Sequence, residues 1–246
     1  TDCAAFVRAK AEELLKQPPY CYLFDTEKGS YSADAIVNEA VIIGMNMVEQ
    51  LKNSDFRVLA AEESFGYPNS PFRGIPLYSG EKQIFLAGRI DRVDESGEYV
   101  RVIDYKTGSF DTAPEPYYTG RKLQLELYLS AVSRARRAAG AYYFPARVGF
   151  RAKADEYPFA MQGFTVGSDE VVRLSDKTVE EGKKSRYIDA YYGRKSKKAL
   201  EEEDFEAFIE YSVLAARGCA RETAAGCVAA SPYEGACDYC PYGSVC

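Results

Sequence analysis

The chain contains no histidine. That absence excludes imidazole as a general base, as a member of a nucleophilic triad and as a metal ligand, the roles it most often fills near neutral pH. No run of about 18 uninterrupted apolar residues occurs, so no membrane span and no membrane partner are expected. The opening residues "TDCAAFVRAKAEELLKQ" have neither a starting methionine nor the apolar centre of a secretory signal. With a last residue that is itself Cys246, they suggest a piece of a longer protein. Internal repeats and low-complexity stretches are missing too. So is the positive charge of a generic nucleic-acid binder, because 31 Lys and Arg face 37 Asp and Glu for a net charge of −6.

What is present suits one large globular domain or one domain with appendages: 246 residues, 46% hydrophobic and 28% charged. The charge is uneven. Residues 183–198, "KKSRYIDAYYGRKSKK", hold seven Lys or Arg against one Asp. Such a run is either a solvated loop or a segment that tracks a nucleic-acid backbone, with Tyr187, Tyr191 and Tyr192 available for stacking. Seven cysteines make an odd count, and three of them fall in the last ten residues. This argues against a secreted disulfide framework and for a metal or cluster site in a reducing, cytoplasmic compartment.

Patterning predicts helices over residues 3–16 and 33–52, the second despite Gly44, with "QPPY" breaking the chain between them. A strand is expected at 57–65, a loop at 66–80, and paired strands at 83–94 and 98–106 joined by "ESG". A long helix follows from Thr119 to Ala139, then strands at 141–150 and 159–166, a helix at 204–217 and a cysteine-rich tail. The expected fold class is α/β, a mixed central sheet flanked by helices.

The stretch "GRIDRVDESGEYVRVIDYKTG" places charge inside strands that otherwise read as buried. Successive strand residues face opposite sides, so Asp104 and Lys106 share a face, and Asp91 on the neighbouring strand can converge with them. Two carboxylates in close approach repel unless a cation or proton intervenes. A hard divalent ion such as Mg²⁺ takes one or two carboxylates with backbone oxygens and waters. A lysine beside it can orient an attacking water and stabilise charge on a phosphate. The plain structural alternative is ion pairing, Asp91 with Arg89 or Arg92 and Asp104 with Lys106. The following segment "RKLQLELYLSAV" sets Gln124 and Tyr128 one turn apart on a single helical face, two hydrogen-bonding groups where a packing helix would use apolar ones.

The order GxxDRxD, then (I/V)DYK(T/S)G, then QLxxY resembles the RecB-like branch of the PD-(D/E)XK nuclease superfamily. The resemblance implies a restriction-endonuclease-like fold in which Asp91, Asp104 and the Tyr105 carbonyl bind the metal and Lys106 acts at the attacking water. Gln124 and Tyr128 would support the site and contact DNA. Relatives often place a His or Glu on the helix before the sheet; with no histidine here, Glu39 would serve or a water would fill the position, and Glu62 in "AAEESFG" is a further candidate. The tail "ACDYCPYGSVC" resembles the iron–sulfur subgroup of this family, particularly the nuclease domains of AddB-type helicase–exonuclease subunits. That likeness implies a 4Fe-4S cluster with three of its four ligands, Cys237, Cys240 and Cys246, in this chain. Cys3 and Cys21 lie upstream in no convincing context, and Cys219 and Cys227 fall outside the motif.

These readings divide the chain into an N-terminal helical segment (1–55), a nuclease core (56–217) and a cysteine-rich iron–sulfur tail (218–246). The activity implied is an Mg²⁺-dependent DNA exonuclease acting on single-stranded ends, with an AddA-like helicase–nuclease subunit as partner, in double-strand break repair and recombination. The alternatives are a catalytically silent DNA-binding or structural module of the same complex, and a stand-alone Cas4-like nuclease.

Overall fold

The computed structural model describes residues 2–80, 83–147, 157–238 and 240–242. The chain opens with helix α1 (Cys3–Leu15), whose N-cap Asp2 accepts hydrogen bonds from the Ala4 and Ala5 amides. A short 3₁₀ turn at Tyr20–Asp25 leads into α2 (Glu27–Lys52), capped by Thr26. The two helices pack around Leu15, Ala33 and Val37. Gly44 marks their close approach, since a Cβ there would lie 2.9 Å from the Val7 side chain. Further along α2, Ile43 and Met47 pack against the body of the protein.

The body is a six-stranded mixed sheet. Its strands are β1 (Arg57–Phe65), β4 (Gly88–Ser96), β5 (Tyr99–Lys106), β6 (Arg137–Pro145), β7 (Gln162–Val166) and the two-residue β8 (Ala199–Leu200), and they lie side by side in that order. A separate two-stranded ribbon pairs β2 (Ile75–Ser79) with β3 (Gln83–Leu86). In the main sheet β4 runs antiparallel to both β1 and β5, whereas β5 pairs in parallel with β6. A parallel pair needs a crossover connection, here carried by α3 (Glu115–Tyr118) and α4 (Gln124–Val132). Helix α5 (Asp169–Ser175) starts at the Ser168 cap, and α6 (Glu202–Ala224) covers one face of the sheet.

Alternation along β5 and β6 divides the core in two. Val100, Val102, Ala141 and Tyr143 join Leu125 and Leu129 of α4 and Phe205, Ile209 and Val213 of α6. Ile103, Tyr142 and Phe144 face the other way, toward Ile43 and Met47 of α2. Both faces are thus covered, as an α/β sheet requires.

Several expected boundaries move. The strand expected at 83–94 divides, because β3 pairs with β2 and ends at Leu86 before β4 begins at Gly88. That pairing also places β2 within the region expected to be loop. The helix expected from Thr119 to Ala139 is only Gln124–Val132. Its Ala- and Arg-rich end becomes β6 instead, with the Arg137 amide donating to the Glu98 carbonyl at 2.8 Å and Tyr99 pairing with Arg137. Tertiary pairing overrides helix propensity there. The strand expected over 141–150 ends at Pro145, and its last three residues lie outside the described residues. The final helix extends to Ala224, seven residues past its expected end at 217.

Candidate active site

The β4–β5 hairpin brings the acidic residues together. Arg92 pairs with Ile103 in the ladder, and Asp91 and Asp104 are the next residues outward on the two strands. Asp91 Oδ2 accepts a hydrogen bond from the Tyr105 amide at 3.0 Å. This turns its carboxylate onto the peptide between Asp104 and Tyr105. Neither arginine considered for Asp91 pairs with it. Arg89 engages Glu62, and Arg92 binds Asp94 at 2.6 and 2.8 Å.

Asp104 is buried, with 3% of its surface exposed. Its Oδ1 accepts from Gln124 Nε2 at 3.0 Å, and the same nitrogen lies 3.1 Å from the Tyr128 hydroxyl. Lys106 Nζ lies 2.6 Å from Oδ2. This buried oxygen therefore forms a close ion pair with the ammonium. Burial raises the Asp104 pKa above the ordinary aspartate value, and the Asp91 charge adds to the rise, while Lys106 and Gln124 act against it. The site therefore disfavours the charge it carries, a condition that a bound cation would reverse.

Lys106 is positioned from below as well as from the side. Its Nζ sits 5.2 Å from the centre of the Tyr143 ring, contributed by the β6 residue that pairs with Asp104. Sequence reasoning does not single out Tyr143; its only sequence signal is the alternation in "AGAYYFP". Gly88 opens the GxxDRxD motif with no role evident from the sequence. A Cβ there would meet Phe65 at 2.8 Å, and Phe65 packs edge-on against Tyr128 at 5.8 Å. The glycine thus lets the Tyr128 support approach β4.

The second aspartate of "DRVD" is structural. Asp94 is fully buried between Arg92 and Arg101, with Arg101 Nη2 and Nε at 2.8 and 3.0 Å from Oδ2. Burial pushes its pKa up, but Arg101 and Arg92 together outweigh that and hold it below the ordinary value. Arg101 is itself buried, stacked 4.2 Å from the centre of the Phe56 ring. Asp91 and Asp94 lie on opposite faces of β4, one toward the site and one toward this pair of arginines.

Of the two further acidic candidates, Glu62 has an exposed carboxylate turned to Arg89 and a backbone at φ 51°, a strained conformation beside the Asp91 position. Glu39 is half-buried on α2, one turn before Ile43, which packs on the cluster containing Tyr105. The basic segment 183–198 folds back on the protein. Lys184 and Lys198 pair with Asp189, Lys195 with Glu201 and Arg186 with Glu49, while Tyr187 is buried against Asn53. Four of its seven cations, Lys184, Arg186, Lys195 and Lys198, are thus matched by carboxylates.

In the tail, Cys237 and Cys240 are exposed and joined through a backbone hydrogen bond of 3.2 Å, while Cys246 lies outside the described residues. Among the described residues no three His, Cys, Asp or Glu side chains are placed to hold a metal ion. Among the described residues the tail thus offers two of the three expected cluster cysteines, and an ion at the hairpin would rest on two carboxylates and a peptide oxygen. That donor set still suits Mg²⁺, which commonly keeps several waters and takes only one or two carboxylates.

The family model of the PD-(D/E)XK nuclease superfamily matches residues 1–246. The chain belongs to that superfamily. Within it, the chain is 32% identical to a protein of Caldanaerobacter subterraneus subsp. tengcongensis that is named as a subunit of an ATP-dependent helicase/deoxyribonuclease, over 99% of this chain and 24% of the relative. Proteins of the same name from Thermoanaerobacter sp. (strain X514) and Desulforudis audaxviator are each 31% identical, over 98% and 100% of this chain and 23% and 24% of their own. The chain thus spans about a quarter of the length of these relatives. A mixed sheet flanked by helices is the superfamily's fold in this sequence. No helix among the described residues is long and apolar enough to cross a membrane.

Proposed function

We propose that this PD-(D/E)XK chain is an Mg²⁺-dependent deoxyribonuclease domain that removes nucleotides from single-stranded DNA ends. The observation that carries the reading is Asp104, a buried carboxylate whose Oδ1 is fixed by Gln124 and whose Oδ2 faces the Lys106 ammonium at 2.6 Å. Asp91, anchored on the Tyr105 amide, stands beside it. Asp91, Asp104 and the Tyr105 carbonyl would hold the ion, which when bound supplies Lewis-acid activation of phosphate and water.

The chain's own groups do the rest. Lys106, held by Asp104 and the Tyr143 ring, orients the attacking water and donates to the phosphate oxygen on which charge develops. Gln124 fixes the rotamer of Asp104, and Tyr128 fixes Gln124. In this reading residues 56–217 form the nuclease core, with a helical segment before it and the cysteine-rich tail after it. No step is routed through an iron–sulfur cluster.

The names of the relatives support a larger setting: one subunit of a cytoplasmic helicase–nuclease, assembled with an AddA-like subunit and working in double-strand break repair and recombination. The test is cleavage of end-labelled single-stranded DNA with Mg²⁺, beside EDTA and an Asp104→Asn variant. Metal-dependent cleavage lost in the variant is expected. A folded, metal-binding chain that does not cut DNA would make this a silent module instead.

A further inference from the structure

A concavity of about 360 Å³ lies between α3 and α6. Its walls are largely aromatic, with Tyr117, Tyr118, Phe164, Phe208 and Tyr211 among them, and Asp204 is the one charged residue among the described residues that line it. Tyr118 and Tyr211 form one edge. Their rings are parallel to within 1° at 6.2 Å between centres, and the Tyr211 hydroxyl donates to the Tyr118 carbonyl at 2.5 Å. Tyr118 nevertheless keeps 76% of its surface exposed. A large aromatic ring lying parallel to a second one and open to solvent has a face free for stacking.

The groove is linked to the candidate catalytic residues through the core. Tyr117, which lines it, is buried in the same cluster as Tyr143, whose ring lies 5.2 Å from Lys106 Nζ. Three cations border the wall formed by residues 111–118. Arg121 pairs with Glu115 on that wall and Lys198 with Asp189, partly exposed ion pairs weak enough to exchange for phosphate. Lys122 and Lys198 reach the same wall through the Asp111 carbonyl and the Thr112 hydroxyl.

The arrangement separates two chemistries. Inside the groove, the Asp204 carboxylate repels phosphate but can accept from the N–H groups of a nucleobase. Around it, ammonium and guanidinium groups suit a backbone. Aromatic platforms for bases beside cations for phosphates are the composition of a single-strand binding site.

We propose that this groove is a nucleobase subsite in which one unpaired base of the DNA strand stacks on Tyr118, with its flanking phosphates toward Arg121, Lys122 and Lys198. The subsite rests on the nuclease reading above and adds to it a seat for one base of the strand. The occupant is a base of single-stranded DNA, because a paired base has no free face to offer and a phosphate meets the wrong charge.

The test uses a short single-stranded oligonucleotide carrying 2-aminopurine at successive positions, bound in EDTA so that no cleavage occurs. One position near the bound end should lose its fluorescence by stacking. Tyr118→Ala should restore that fluorescence and weaken binding about tenfold, the scale of one base–aromatic stack, and Tyr118→Phe should behave as the wild type. An abasic nucleotide at the same position should weaken the wild type by a similar factor and the alanine variant hardly at all. Because Tyr118 is exposed, the variant's melting temperature should match the wild type's. If the wild type binds and cuts DNA while Tyr118→Ala shows unchanged quenching and affinity, the subsite is wrong and the nuclease reading stands. If Tyr118-dependent stacking occurs but Mg²⁺ brings no cleavage, the subsite stands and the nuclease reading falls. A wild-type chain that binds no oligonucleotide overturns the subsite.

Discussion

Gln124, in the first turn of α4, donates from one nitrogen toward both Asp104, at 3.0 Å, and the Tyr128 hydroxyl, at 3.1 Å. The crossover helix thereby holds a β5 carboxylate in a single rotamer before any ion arrives. Outer-sphere partners of this kind typically change metal affinity about 10- to 100-fold when removed. Gln124→Ala should weaken Mn²⁺ or Mg²⁺ binding by a factor in that range, read by isothermal titration, with little change in melting temperature without metal. Unchanged affinity would show that Asp104 is oriented by other means.

The two aspartates of "DRVD" should separate cleanly. Asp91 has no arginine partner among the described residues, so Asp91→Ala should fold and lose metal binding. Asp94→Ala would leave Arg92 and Arg101 buried without their counter-charge. Removing one partner of a buried ion pair costs about 3–5 kcal/mol, a large part of a domain's stability. Denaturant unfolding distinguishes the two variants. Equal loss of stability in both would mean that Asp91 also has a structural role.

Asp104 should show a trade of stability for function. Its folded-state pKa is raised, chiefly by burial, so the folded chain binds this proton more tightly than the unfolded chain. The stability it confers is greatest below the unfolded value and falls as pH rises through the folded one, leaving the ionised group a net cost at neutral pH. Asp104→Asn should therefore melt higher than the wild type in EDTA, and should lose the rise in melting temperature that Mg²⁺ brings to the wild type. A lower melting temperature in EDTA would contradict that sign.

Glu126 provides a second pH signature. It lies buried on α4, 1% exposed, with neither carboxyl oxygen accepting a hydrogen bond among the described residues. Burial pushes its pKa up to about 8. Stability should hold below the ordinary glutamate value of 4.5 and decline toward pH 8, at up to about 1.4 kcal/mol per pH unit. Glu126→Gln should flatten this decline in chemical denaturation run across the range. A profile unchanged by the substitution would mean that other groups carry it.

The residues at the hairpin were legible because strand geometry is local. Alternation alone puts Asp104 and Lys106 on one face, and the helical repeat puts Gln124 one turn from Tyr128. Both periodicities arise from backbone dihedrals, and neighbours in sequence suffice to set them. The motif order could therefore be read without knowing what packs where.

What only the tertiary structure decided depends on partners far apart in the chain. Asp94 is structural because it binds Arg101, which Phe56 and Ser175 hold in turn. The Ala-rich end of the expected helix became β6 because β5 offered it an edge, and the basic segment lost its apparent freedom to Glu49, Asp189 and Glu201. Tyr118 and Tyr211, 93 positions apart, meet only once α6 lies across α3. The sequence by itself determined which groups could perform the chemistry, since residue type and local repeat depend on nothing distant. Folding decided which charges are neutralised, which aromatics remain open and which carboxylate stays free for a metal, because those depend on burial and on contacts that close long loops.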